Sequence, residues 1–272
     1  MQATARVTFV RSGSTSCRCA GVLLSACQAS ASRATAWCAA FRIPAPAIGY
    51  RLPVTVFACH ATLHSPHADR HMDLILVRHG DVDAAPGLCL GQTDAPLSAS
   101  GFAAMQQLAA TWTEAPPRFL FSSDLKRAQQ AAAIFAARFA IEPLADARLR
   151  EVNLGTWDGQ RWDEIMRTDA TRYEHWAGNW VIQEAPGGES FSDVIRRTGA
   201  WLSSLLSSTR DEDVVLAVAH AGSIRALLCH ALGLPASRAF ALHIDHAHAA
   251  RMRSRRGQFE VCYANASRFE PD

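Results

Sequence analysis

The sequence predicts an α/β domain built around a buried sheet, and three observations predict it. Two short apolar runs rich in branched residues, 74–77 (Leu-Ile-Leu-Val) and 214–219 (Val-Val-Leu-Ala-Val-Ala), read as strands buried on both faces. Helical stretches separate the strand candidates along the chain. No internal repeat or low-complexity linker interrupts the residues after Met72, and about 200 residues suits one core. Each apolar run gives way abruptly to a polar segment, Arg78-His79-Gly80 in the first case and His220-Ala221-Gly222 in the second. Open α/β sheets hold their ligands at the carboxyl ends of the strands. Two strands that each deliver a histidine to one sheet edge therefore point to a site with two imidazoles facing one substrate.

The other elements follow in order. Residues 98–113 form a helix, with Ser98 as N-cap after Pro96-Leu97, and Pro116-Pro117 breaks it. Residues 119–121 are a short buried strand ending in Ser122-Ser123. Residues 124–139 are Ala-rich and helical, with Leu125, Ala128, Ala132 and Phe135 on one face. Residues 149–159 are irregular and carry Gly155 and Gly159. Residues 162–180 hold Trp162, Tyr173, His175, Trp176 and Trp180 on short helices. Core packing is the plain account of those aromatics, and a lid over the ligand is the sharper one. After the loop Pro186-Gly187-Gly188, residues 189–207 make a long helix. Residues 222–232 make another, stopped by Gly233 and Pro235. Residues 239–264 read as short strands around the turn Arg255-Arg256-Gly257.

Charge and cysteine content divide the chain unevenly. Residues 1–72 carry seven Arg against the single acid Asp69, a balance of +6, so the net +2 leaves −4 for the remainder. The basic balance thus belongs to the leader, and a nucleic-acid partner does not follow from it. No apolar stretch is long enough to cross a bilayer as a helix. Five of the eight cysteines lie before Met72; Cys89, Cys229 and Cys262 show neither metal-ligand spacing nor a disulfide framework, which suits a reduced, cytoplasmic setting. The leader, residues 1–71, admits three readings. Its Ala, Ser and Arg content fits a transit peptide, and 22–27 (Val-Leu-Leu-Ser-Ala-Cys) is similar to a lipoprotein cleavage site. The favoured reading is a start at Met72, immediately before the first core strand; one Lys against 26 Arg suits a GC-rich genome, in which over-long reading frames are common. The domain under analysis is then 72–272.

Four motifs in order carry a family resemblance: Leu76-Val77-Arg78-His79-Gly80; Ser122-Ser123-Asp124-Leu125-Lys126-Arg127-Ala128; Leu149-Arg150-Glu151 with Gly155-Thr156-Trp157-Asp158-Gly159; and Val218-Ala219-His220-Ala221-Gly222. The chain resembles the histidine phosphatase, or phosphoglycerate-mutase-like, superfamily over nearly all of the chain from Met72 to about Ala264. The resemblance implies a three-layer α/β/α fold with a mostly parallel central sheet. It also implies a phosphohistidine mechanism, whose physics suits these residue types. A neutral imidazole is a competent nucleophile near its reference pKa of about 6.5, so His79 attacks phosphorus. Arg78 and Arg127 offer planar forks to phosphate oxygens, and His220 adds a donor. Gly80 and Gly222 let backbone amides approach the phosphate. Glu151 protonates the leaving alkoxide and later deprotonates water, with Asp81 and Asp83 as alternative acids near the nucleophile. Arginines and histidines neutralise the charge, so neither metal nor cofactor is expected. A zinc site at His243, His246 and His248 is disfavoured, because strand alternation puts His243 opposite the other two.

Two departures from the family pattern bear on the phosphate site. Val82 and Ala85 stand where relatives often carry Thr and Asn, and Ala221 stands in place of a Gly. The segment 87–91, aided by Gln92, is expected to supply backbone donors instead. Within the superfamily, the segments 91–98 and 154–159 and the insert from Tyr173 to Phe191 are most similar to alpha-ribazole phosphatases of cobalamin synthesis. That likeness implies a small-molecule substrate, alpha-ribazole 5′-phosphate or the corresponding cobalamin phosphate. The rivals are a broad-specificity phosphatase, a phosphoglycerate mutase and, outside enzymes, a phosphate-binding module; the presence of both His79 and Glu151 disfavours the last.

Overall fold

The computed structural model describes residues 71–255 and 258–269, together with two short strands nearer the start, β1 (Ala5–Arg6) and β2 (Ala40–Phe41). The chain divides into two units, Met1–Asp69 and Arg70–Asp272. In the first, β1 pairs antiparallel with β2; the leader reading of residues 1–71 otherwise lies outside the described residues.

The second unit is built on a six-stranded sheet. Its elements, in order, are β3 (Met72–Arg78), α1 (Ala99–Ala110), β4 (Phe119–Ser122), α2 (Lys126–Phe139), β5 (Pro143–Ala145), α3 (Trp162–Thr168), α4 (Ala170–Asn179), α5 (Phe191–Ser208), β6 (Val214–Ala219), α6 (Ala221–Leu232), β7 (Ala249–Arg255) and β8 (Gln258–Ala266). The spatial order is β5-β4-β6-β3-β7-β8. The first four strands run parallel, and β7 and β8 join antiparallel at one side.

Side-chain alternation splits β3 and β6 between two cores. Ile75, Val77, Leu216 and Val218 pack with Met105 and Leu108 of α1 and Phe135 of α2. Leu74, Leu76, Val215 and Ala217 pack with Trp201 and Leu205 of α5 and Ile224 and Leu227 of α6. Helices on both faces explain why these strands are apolar at every position rather than alternating.

Three elements depart from the expectation. The short strand β5 has little apolar signal, with Pro143 half-buried and Leu144 and Ala145 exposed. Helix α2 begins at Lys126, two residues late, because Asp124 is held outside it by Arg150. Residues Ala236–Ala241 form a 3-10 turn after Pro235 rather than a strand, and the chain stays irregular up to β7. The turn residues 256 and 257 lie outside the described residues.

One close approach fixes the end of β3. Gly80 lies against the backbone of Gly101 in the first turn of α1, and Gly101 lies against the backbone of Asp81. A Cβ at either position would overlap main-chain atoms. The Ser98 side chain caps α1 by accepting from Gly101 N–H at 3.0 Å, which holds the helix start in that place. Gly101→Ala is therefore expected to cost roughly 1–3 kcal/mol, the range for overpacking. Thermal unfolding checks it: a Tm equal to that of the unaltered chain would show that the approach has room to relax.

Candidate active site

Three adjacent parallel strands deliver the site. In the β3–β6 register Arg78 is opposite Ala219, so the next residues, His79 and His220, leave the sheet side by side. Their ring centroids are 4.9 Å apart. The loop after β4 leads into α2, whose second residue is Arg127.

His79 is buried, and its Nδ1 lies 2.7 Å from the carbonyl of Gly80. A carbonyl only accepts, so Nδ1 carries the proton and Nε2 keeps its lone pair. Nε2 accepts from Arg127 Nε at 3.3 Å. Burial above all, then the guanidinium of Arg127, pushes the His79 pKa well below 6.5. The imidazole is thus neutral, with its free nitrogen facing a cation.

Arg127 is itself anchored. Its two terminal nitrogens each donate at 2.7 Å, to the carbonyls of Thr93 and Gly91. Those carbonyls belong to a loop gathered by Asp158, which accepts from the amides of Gly91 (2.9 Å), Gln92 (2.6 Å) and Thr93 (2.9 Å) and from Thr93 Oγ1 (2.8 Å). Arg78 donates to Ile244 O at 2.6 Å and to His246 Nε2 at 2.7 Å. His220 is fully buried, and neither of its ring nitrogens has a hydrogen-bond partner. Burial, then the neighbouring His79 and Arg127, hold its pKa well below the ordinary histidine value. A buried, unpartnered imidazole costs stability, and a bound anion would supply the missing partner.

Glu151 lies on the same cavity as His79, Arg78 and Arg127. Its carboxylate accepts from Val152 N–H at 2.9 Å and from Gly222 N–H at 3.1 Å. A side chain at Gly222 would overlap that carboxylate. Asp81 and Asp83 are exposed and absent from the cavity wall; the acids on that wall are Glu151 and Glu189, and Glu189 is paired with Arg197.

The cavity measures about 390 Å³. Beyond the charged floor its walls include Val82, Leu88, Leu90, Trp162, Trp176 and Trp180. Trp162 and Trp176 stack with centroids 5.9 Å apart, while Trp157 is buried behind them and donates to Asp169. The three tryptophans of the segment 162–180 therefore form cavity wall, with Trp157, which precedes the segment, packed behind them.

Several expectations are corrected. Gln92 does not line the cavity: its side-chain amide donates to the Glu151 carbonyl at 3.1 Å, bracing the acid from behind. Gly80 is required by the approach of Gly101, and it too is off the cavity wall. Within the segment 87–91 the amides of Cys89 and Gly91 are spent, on Gln160 O and Asp158, while Leu88 and Leu90 put apolar side chains on the cavity wall. His243, His246 and His248 precede β7, so strand alternation does not apply to them. His243 pairs with Asp245, and His246 lines the cavity. Among the described residues no cluster of three or more His, Cys, Asp or Glu could hold a metal ion.

Two site residues escaped the sequence reading. Arg225 lines the cavity with its Nε–H spent on Leu242 O and its guanidinium 5.2 Å over Phe240. Its spacing of three from Gly222 on one helix face was the available signal. Asp158 lies inside the motif 155–159, but its role was hidden because nothing in the sequence pairs it with residues 91–93.

Two imidazoles held neutral by burial make the unfolded chain the better proton acceptor as pH falls. The stability they contribute is full above about pH 6.5 and is lost progressively below it. Unfolding free energy of the ligand-free protein is expected to fall with acidification in that window. His220→Gln should reduce the slope by about 1.4 kcal/mol per pH unit, the equivalent of one proton. Denaturant titrations at several pH values check this, and equal slopes for both proteins would refute it.

Comparison with known proteins bears on the same residues. The adenosylcobalamin/alpha-ribazole phosphatase of Escherichia coli K12 is 27% identical over 175 residues, covering 64% of this chain and 86% of that protein. A probable phosphoglycerate mutase of Shigella boydii is 29% identical over 182 residues, covering 66% and 84%. The crystal structure of the alpha-ribazole phosphatase from Shigella flexneri superimposes with a TM-score of 0.69 over 74% of this chain and all of that one (100%); at 23% identity the likeness shows the fold. The model of the histidine phosphatase superfamily (branch 1) matches residues 74–267, from the strand that leads into His79 through the last strand of the sheet. The chain belongs to that superfamily, and it is a phosphatase.

Proposed function

We propose that this phosphatase hydrolyses a phosphate monoester through a phosphohistidine on His79, acting in the cytoplasm on a small molecule, most specifically alpha-ribazole 5′-phosphate or the corresponding cobalamin phosphate. The observation that carries the chemistry is the tautomer of His79. Its Nδ1–H is spent on Gly80 O, so Nε2 carries the lone pair, which accepts from Arg127 Nε at 3.3 Å.

In the first step Nε2 attacks phosphorus in line, and the bond from phosphorus to the ester oxygen breaks. The protonated Glu151 carboxyl gives its proton to the leaving alkoxide. Arg78, Arg127 and His220 stabilise the equatorial oxygens, where phosphoryl transfer concentrates charge. In the second step the Glu151 carboxylate takes a proton from water, the water oxygen attacks phosphorus, and the N–P bond breaks to release phosphate. His79 returns to its starting tautomer.

The aromatic wall supports the finer substrate reading. Trp162, Trp176 and Trp180 offer flat apolar surface suited to a benzimidazole base, a few residues from a charged floor suited to phosphate.

His79→Ala is expected to lower turnover about a thousandfold or more, and Glu151→Gln roughly 10²–10⁴-fold. Glu151→Gln should also slow hydrolysis of the intermediate, so a denaturing alkaline quench with labelled substrate, which preserves the acid-labile N–P bond, traps a phosphohistidine that His79→Ala never forms. A fully active His79→Ala protein would overturn the nucleophile assignment. For the substrate, kcat/KM without added metal is to be compared among alpha-ribazole 5′-phosphate, 3-phosphoglycerate and a generic aryl phosphate. A preference of about tenfold or more for the ribazole ester, reduced in Trp176→Ala, is the expected outcome. Equal rates on all three would leave a broad-specificity phosphatase with the same chemistry.

A further inference from the structure

The irregular segment before β7 is stitched to the end of β3. Ala247, in the left-handed region at φ 54°, donates its N–H to His79 O at 3.2 Å. Arg78 N–H donates to His248 O at 3.0 Å, and His248 Nδ1 lies 2.8 Å from His246 O. On the outer side Asp245 N–H donates to Asn265 Oδ1 at 2.6 Å, and Asn265 Nδ2 donates back to Asp245 Oδ2 at 3.0 Å. Five hydrogen bonds thus fix residues 245–248 independently of any ligand.

They bring His246 against Arg78. The guanidinium can only donate, so the 2.7 Å contact makes His246 Nε2 an acceptor and puts the ring proton on Nδ1. Asp81 Oδ1 stands 4.0 Å from Nδ1. The second terminal nitrogen of Arg78 donates to Ile244 O, while its Nε is buried without a partner. The imidazole lies 5.4 Å from that of His79, centroid to centroid, and lines the cavity. Nearby, Val82 offers no donor, and the amides of residues 91–93 are all spent on Asp158. Arg78 and Arg127 are the guanidinium groups that act on His79, with Arg225 further along the same cavity wall.

We propose that His246 is a positioning residue for Arg78. Its Nε2 and the Ile244 carbonyl take two of the guanidinium nitrogens and keep the cation beside His79, with the Nε–H unspent for a phosphate oxygen; Asp81 biases the ring toward the accepting tautomer. The inference rests on the phosphohistidine reading, in which Arg78 contacts the substrate phosphate.

A double-mutant cycle on kcat/KM for an aryl phosphate tests it. His246→Ala should lower kcat/KM about tenfold, chiefly through KM, as expected for loosening one charged hydrogen bond. His246→Gln, whose amide oxygen can accept in the same place, should recover to within about threefold. In an Arg78→Ala background, His246→Ala should cause no further loss. His243→Ala, at an exposed ring paired with Asp245, should leave kcat/KM unchanged. A His246→Ala protein with full kcat/KM, losses that multiply in the double variant, failure of Gln to recover, or an equal loss in His243→Ala would each overturn the proposal. Aryl phosphate hydrolysis by the unaltered chain, in the same assay, tests the phosphatase reading separately.

Discussion

The site depends on one piece of sheet geometry, the parallel pairing of β3 with β6 at the register that sets Arg78 opposite Ala219. A parallel pair ends both strands at the same sheet edge, so the two following residues emerge together. Those residues are His79 and His220. A slip of one residue would turn the inward face of β6 outward, because side chains alternate with a period of two. Both faces of β6 are packed by helices, so that slip would disrupt two cores at once. The separation of the two imidazoles is therefore enforced by hydrophobic packing well away from the chemistry.

Around that edge the protein commits its polar groups to one another rather than to solvent. Asp158 gathers three amides, the loop it shapes presents two carbonyls to Arg127, and Arg127 faces His79. Gln92 and Arg197 both donate to the Glu151 carbonyl, while Gly222 and Val152 hold its carboxylate. Arg78 is held from the other side by the segment before β7. Such anchoring keeps the donors in place before a substrate arrives, and preorganised donors lose little on reorganisation during reaction. His220 is the exception, buried with both ring nitrogens unpartnered. Packing around it offsets the cost of that burial.

The cavity joins two environments. Its floor is cationic and suited to a phosphoryl group; its walls are aromatic and aliphatic. The floor is carried by strand ends, which sheet pairing makes rigid. The walls come largely from α3, α4 and neighbouring loops, where one substitution changes shape without touching the phosphate contacts. That division puts the charged groups at the sheet edge and most of the aromatic surface in the insert.

Much of this was legible in the sequence. The unbroken apolar strands, the Ser98 cap and the order of the motifs around His79, Arg127, Glu151 and His220 depend on neighbours along the chain, and short-range physics determines them. The sequence also singled out Val82 as an anomaly at the phosphate site. Tertiary structure alone decided what answers it. Residues 91–93 lie far from Asp158 in the chain, and so does Arg78 from His246. Whether an amide or an imidazole is free depends on which distant group it meets. Gly80 and Gln92 show the same limit from the other direction: the motif brought each near the nucleophile, but packing against Gly101 and bonding to the Glu151 carbonyl decided their work. Local sequence determines which groups can donate or accept, and only the closed fold determines which of them remain unspent, because a hydrogen bond made to a distant partner leaves no trace in the spacing of either residue.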